Sequence, residues 1–222
     1  MKMKISKTIA LVFIMRFASL ACFAQRNSDT DSLNIKKHEM SVDFGAFYSP
    51  IISRDFYGIN FEAKYFLSEK FETGLCYSLA GKKISDKFSY SIGTTIIDYY
   101  EYGWINQYEF VKKEKIRIGL SLNNGLLISR LGDNDEKERY WTKTGGGYMA
   151  KAIAYNYLYI IEPGIDISFR VYSNKNDPYV FITTKSKYRF AIGETKFGQT
   201  DNYTNYYIGL GVTVNGIVDF KK

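Results

Sequence analysis

The chain has 222 residues, a formal net charge of +7, 17% aromatic side chains, 20 tyrosines and only three prolines. Beyond the N-terminus its lysines and arginines are interleaved with acids, so a nucleic-acid partner is not implied, and two cysteines, Cys22 and Cys76, allow neither a zinc cluster nor a CxxC motif. No stretch approaches the roughly 18 consecutive apolar residues of a spanning helix, so any membrane insertion must be by strands.

The first 24 residues read as a secretory signal peptide. Lys2, Lys4 and Lys7 form a positive start and Thr8–Met15 an apolar run that Arg16 ends. Cys22-Phe23-Ala24 places small residues before a cleavage site at Ala24–Gln25. Lipidation at Cys22 is not expected, because Ser19 stands where a leucine would. Cleavage leaves 198 residues, a charge of +3 and Cys76 as a lone thiol, so the exported chain must fold without an internal disulfide. Residues 25–38 are polar and aperiodic, a periplasmic leader ending at the only histidine, His38.

From there to Phe220 the chain alternates with period two, and its Tyr, Phe, Val and Ile content favours strands. Strand one, Glu39–Ser49, sets Met40, Val42, Phe44, Ala46 and Tyr48 against Ser41, Asp43 and Gly45, and Pro50 with Ser53–Asp55 breaks it. The hairpin Phe56–Ala80 supplies two more: Tyr57, Ile59, Phe61, Ala63 and Tyr65 face one way and Gly58, Asn60, Glu62 and Lys64 the other, and Ser68-Glu69-Lys70 turns the chain. Gly81–Thr95 reads as a serine-rich loop. Strand four, Asp98–Val111, has Tyr100, Tyr102, Trp104, Tyr108 and Phe110 on one face, with Asn106 the one polar exception. Lys112–Lys115 turns into strand five, Lys115–Arg130, and Gly132–Gly147 reads as the longest polar loop. After the ambiguous Tyr148–Tyr159, strand six sets Ile161, Ile165, Ile167 and Phe169 against Glu162, Asp166 and Arg170, with Pro163 predicting a bulge or edge-like position. Ser173–Pro178 is a short turn; strand seven carries Lys185, Lys187 and Arg189 on one face; a loop around Gly193–Asn202 leads to strand eight, with Tyr206, Ile208, Leu210, Val212 and Val214 alternating with glycines. Eight strands result, and their connections run alternately long and short.

The polar face has two features that a merely solvated surface does not need. It pairs opposite charges, among them Glu62, Lys64, Glu72, Glu101, Arg117, Glu162, Arg170, Lys187 and Arg189, and it carries glycines, as at Gly58, Gly74 and Gly103. A crowded lumen needs both. Aromatics near strand ends suit interfacial girdles, and alternating loop lengths suit a barrel with short periplasmic turns and longer outer loops. The prediction is an all-β, eight-stranded antiparallel up-and-down transmembrane β-barrel over residues 39–220, surrounded by outer-membrane lipid, with both termini periplasmic. A soluble exported lipocalin-like barrel, burying its apolar face around a ligand, is the alternative.

Tyr65-Phe66-Leu67-Ser68-Glu69-Lys70-Phe71, Gly74-Leu75-Cys76-Tyr77, Tyr100-Glu101-Tyr102 and Gln107-Tyr108-Glu109-Phe110 resemble the small outer-membrane barrels of Bacteroidetes-type bacteria, the PorT-like group. Gly103 stands where that group commonly has a proline, and Lys221-Lys222 follow the final aromatic, Phe220, that barrel-assembly machinery reads in such proteins. The resemblance implies an outer-membrane location and suggests a role as accessory to a secretion apparatus.

A barrel of eight strands is just filled by its own side chains, so a diffusion pore is not expected. No nucleophile–base pair, metal cluster or phosphate-binding glycine loop is evident, and no cofactor is implied; His38 at the start of strand one reads as a surface residue. The expected function is non-enzymatic, structural or interactive, through outer loops. Tyr140 and Trp141, between Arg139 and Lys143, are either a contact site for a partner or polysaccharide, or belt residues at a strand end.

Overall fold

A computed structural model describes residues 38–142, 145–172 and 179–218. The signal cleavage site at Ala24–Gln25, the leader, the Ser173–Pro178 turn and Phe220 lie outside these residues. The described chain forms strands β1 (His38–Ile51), β2 (Arg54–Phe66), β3 (Phe71–Ile84), β4 (Thr95–Lys112), β5 (Ile116–Thr142), β6 (Gly145–Tyr172), β7 (Tyr179–Tyr188), β8 (Phe190–Ile192) and β9 (Tyr206–Val218), with a 3-10 turn at Thr200–Tyr203. Every pairing is antiparallel. The order β5-β4-β3-β2-β1-β9-β7-β6, together with β5–β6 pairing, closes the ring. β8 continues β7 past Arg189 and pairs as a strand with β6, so the two count as one wall and the barrel has eight.

Alternation decides what each face meets. Phe44 is 57% exposed while its neighbour Asp43 is 0% exposed, and the pattern repeats around the ring: Phe61, Leu75, Trp104, Ile182 and Leu210 face out while Glu62, Glu101, Lys185 and Lys187 face in. The lipocalin-like arrangement needs the reverse. Asn106 faces out and accepts a hydrogen bond of 2.8 Å from Thr73 Oγ1 on the adjacent strand, so the two polar groups on this apolar wall satisfy each other.

The region expected to be the longest loop, Gly132–Gly147, is mostly strand. β5 and β6 are 27 and 28 residues long and stay paired to Thr142↔Gly145, with register shifts at Leu131/Gly132 and Asp133/Lys137. A ribbon in water on both sides needs no apolar face, so its sequence loses the alternation that marks a strand while its backbone pairing persists. The ambiguous Tyr148–Tyr159 belongs to the same β6. The first connection, expected to be long, is the two-residue turn Ile52-Ser53, with φ of 52° and 56°. Two left-handed residues in succession match the twist of a tight hairpin. The third connection, expected over Gly81–Thr95, is trimmed to 85–94 by extra paired residues on β3 and β4.

Candidate functional site: the filled lumen and its outer cap

The inward face is organised in tiers. At the short-turn end, Glu72 accepts a hydrogen bond from Ser41 Oγ at 3.0 Å and lies 3.4 Å from Lys64 Nζ, which donates to Gln107 at 2.6 Å. Glu109 pairs there with Arg117 at 3.6 Å and Lys112 at 3.4 Å. One level up, Lys185 bridges Asp43 at 2.5 Å and Glu62 at 2.8 Å, and Lys187 meets Glu62 at 3.1 Å. The third level is built on Arg189, wholly buried, whose Nε donates to Glu162 at 2.5 Å and Nη2 to Glu101 at 2.9 Å. Asn123 Nδ2 donates to Glu101 at 2.6 Å and to Glu162 at 2.9 Å, Tyr99 OH donates to Glu101, and Cys76 Sγ donates to Asn123 at 3.0 Å.

Of the predicted lumen residues, Glu62, Lys64, Glu72, Glu101, Glu162, Lys187 and Arg189 meet in this network, and Arg117 sits at its lower mouth against the Phe181 ring, 4.3 Å away. Arg170 does not join it. Its guanidinium pairs with the exposed Glu114 of the β4–β5 turn, because this part of β6 lies at the barrel rim, beyond the lumen acids. Asp43, Lys185, Asn123 and Tyr99 complete the network. Alternation places Asp43, Lys185 and Asn123 inward without revealing that they act as bridges; Tyr99 shares the inward parity of Glu101, but an aromatic residue at that position does not announce a hydrogen-bond donor.

Gly103 makes room for the bridging amide. A Cβ there would stand 2.3 Å from Asn123 Oδ1 and 2.8 Å from Cys76 Sγ. Gly103→Ala is therefore expected to destabilise the barrel by about 1–3 kcal/mol through overpacking, read as a lower urea midpoint; an unchanged midpoint would show that Asn123 moves without loss.

Above Arg189 the lumen becomes apolar. Phe47 stacks on Tyr207 with ring centroids 4.9 Å apart, and Ile51, Phe56, Ile97, Leu127 and Leu158 fill the same level. The outer connections fold down onto them with Ile52, Ile92, Phe197 and Tyr203. Asn156 anchors this cap, accepting from Lys196 N at 2.7 Å and donating to Phe197 O at 2.9 Å and to Tyr203 OH at 2.8 Å. The sequence signal for it is adjacent apolar residues, as at Ile96-Ile97, Leu126-Leu127 and Ile160-Ile161, where both faces of a strand are apolar. Charged tiers below and an apolar cap above occupy most of the lumen, with a small cavity of about 10 Å³ left at the lower mouth between Lys64, Glu72, Glu109 and Arg117.

Asp133 ties the 85–94 connection to β5. Its carboxylate accepts from the backbone N–H of Gly93 at 2.9 Å, Thr94 at 3.2 Å and Asp135 at 3.0 Å, and these bonds hold its pKa below the usual carboxylate range. A depressed folded-state pKa means the anchoring is intact above the unfolded value, about 3.9, and fades as pH falls through the lower folded value. Hydrogen exchange at Gly93 and Thr94, corrected for intrinsic pH dependence, should lose protection only below about pH 4; loss at neutral pH would sink this assignment.

The distal β5–β6 hairpin carries the aromatic pair. Trp141 lies ten residues beyond Leu131 along β5, up to about 30 Å at strand rise. It is 69% exposed, with the Arg139 guanidinium 3.8 Å from its ring centroid and Gly146 as its cross-strand partner. The Tyr140 side chain lies outside the description, as does that of His38. Among the described residues no group of three metal-ligating side chains is placed to hold an ion.

No protein-family model matches the chain, and no curated protein matches it. Solved structures do. The Neisserial surface protein NspA aligns at 11% identity over 82% of this chain and 98% of its own, with a TM-score of 0.51. Ail, the attachment invasion locus protein of Yersinia pestis, solved with the heparin analogue sucrose octasulfate, aligns at 12% identity over 81% of this chain and 99% of its own, with a TM-score of 0.50. The fold is that of the small outer-membrane β-barrels. At these identities the likeness concerns the fold.

Proposed function

We propose that this protein is a non-enzymatic outer-membrane barrel that spans the membrane with a filled lumen and acts through surfaces outside it. One observation carries the reading: the closed ring turns its aliphatic and aromatic side chains outward and buries its ion pairs. In water such a surface is a large apolar liability, whereas in lipid it is the required exterior and closure leaves no unpaired strand edge in the hydrocarbon. The short turns then face the periplasm and the β5–β6 hairpin reaches outward, presenting Arg139, Trp141 and Tyr148 as the leading contact surface. Assembly by the barrel machinery and membership of the PorT-like group belong to the same proposal. A secretion-accessory role, suggested by the family resemblance alone, predicts that deletion blocks export of cargo.

The test is fractionation of the full chain with its own leader. The expected result is recovery in the detergent-extracted outer-membrane fraction with gel mobility that changes on heating; recovery as a soluble periplasmic protein overturns the proposal.

A further inference from the structure

Three outer connections meet above the apolar cap: the Ile52-Ser53 turn, the 85–94 segment and the 193–205 loop. Between them lies an open cleft of about 580 Å³ whose floor is Ile52, Ile84 and Phe88. Its polar lining is Ser53, Arg54, Asp86, Gln199 and Asn202.

The floor is held in place at a conformational cost. Ile52 and Ser53 have φ of 52° and 56°, and Phe88 and Ser89 have φ of 49° and 66°. Such successive left-handed residues are ordinarily Asn-Gly or Asp-Gly, because an L side chain is crowded there. Each turn is pinned: Ile52 N donates to Asn202 O at 2.9 Å, Phe88 N to Asp86 Oδ1 at 2.9 Å, and Tyr90 N to Lys87 O at 2.9 Å. Phe88 also packs on Phe197 of the third connection, with centroids 5.6 Å apart. Ile52 and Phe88 thus form a preset apolar floor fixed to the cap.

The rim is unspent. Among the described residues, the side chains of Ser53, Arg54, Gln199 and Asn202 make no hydrogen bond to the protein, although they converge on one cleft. Their chemistry selects the occupant. One arginine against one aspartate leaves the lining neutral, so a phosphate or carboxylate would gain from Arg54 but face Asp86. A hydrocarbon would cover polar groups without replacing their hydrogen bonds with water. Two amides, a hydroxyl, a guanidinium and a carboxylate together offer donors and acceptors in mixture, which suits hydroxyl groups that both give and accept, while the phenyl ring and aliphatic floor suit the C–H face of a sugar ring.

We propose that this cleft binds a short neutral saccharide at the outer mouth of the barrel. The site is separate from the β5–β6 hairpin tip, and the two can be tested apart.

The full chain, folded in lipid nanodiscs to avoid glycoside detergents, is probed by saturation-transfer NMR with lactose, maltose, cellobiose and N,N′-diacetylchitobiose. Inorganic phosphate and glucuronate serve as anionic probes. At least one neutral disaccharide should show transfer, and Gln199→Ala with Asn202→Ala should weaken its Kd about tenfold or more through two lost hydrogen-bonding groups. Arg54→Ala, on an exposed side chain, provides a second variant should the double substitution impair folding, and it should also weaken binding. Trp141→Ala should leave binding unchanged. Absence of transfer from every neutral sugar at millimolar concentration, phosphate or glucuronate binding in their place, or equal affinity in the rim variants would each overturn the proposal.

Discussion

Arg189→Met is expected to destabilise the folded barrel by about 3–5 kcal/mol, the usual cost of leaving buried charges without their partner. Arg189 is wholly buried and donates to Glu162 and Glu101, so its loss leaves two carboxylates close together, with Asn123 donating to both and Tyr99 to Glu101 alone. Methionine keeps much of the volume, which separates lost charge from a lost packing contact. Adding Glu101→Gln and Glu162→Gln removes the orphaned charges and should recover a large part of the deficit. The measurement is urea unfolding in lipid vesicles, followed by the heat-dependent shift in gel mobility. A single variant within about 1 kcal/mol of the parent, the scale of exposed pairs, would show that the lumen is more hydrated than its burial implies.

The second expectation concerns the outer wall. Val212→Arg should cost about 2–4 kcal/mol in a bilayer, the penalty for a cation at mid-depth on a barrel's lipid face. Val212 is 47% exposed and stands opposite Phe44 on β1 and Ile182 on β7. Phe44 lies midway along β1 between Met40 and Tyr48, and Tyr48 packs against Tyr57 and Tyr206 in what becomes an interfacial girdle. The same substitution nearer that girdle, Ile208→Arg, should cost clearly less. On a water-exposed surface both changes would fall within about 0.5 kcal/mol, so equal and negligible effects would remove the membrane assignment. The depth gradient is the informative quantity, because general unfolding effects of arginine have no reason to follow distance from Phe44.

The two expectations rest on different kinds of legibility. Val212 could be read directly: Ile208, Leu210, Val212 and Val214 alternate with glycine and threonine, and period two puts them on one face wherever the strand sits. The same rule placed Glu62, Lys64, Glu101, Glu162 and Arg189 together on the opposite face. It could not show that Arg189 bridges Glu101 and Glu162, since these residues come from separate strands and meet only across the closed lumen. Arg170 illustrates the limit. It shares the inward alternation of Glu162 and Asp166 but lies at the rim, where Glu114 of a turn is nearer than any lumen acid. The distal β5–β6 ribbon was hidden for another reason, since a strand pair wetted on both faces carries no hydrophobic period.

Local sequence, through strand periodicity and the scarcity of proline, was sufficient to determine the all-β class, the number of walls and the identity of the two faces, because side-chain direction in a strand depends only on position parity. The tertiary structure decided which inward charges pair, where the charged lumen gives way to the apolar cap, and how tightly Ile52-Ser53 turns. Those outcomes depend on shear, register and the meeting of distant strands. A carboxylate's partner is whatever ring closure brings within a few ångströms, and no spacing along the chain records that distance.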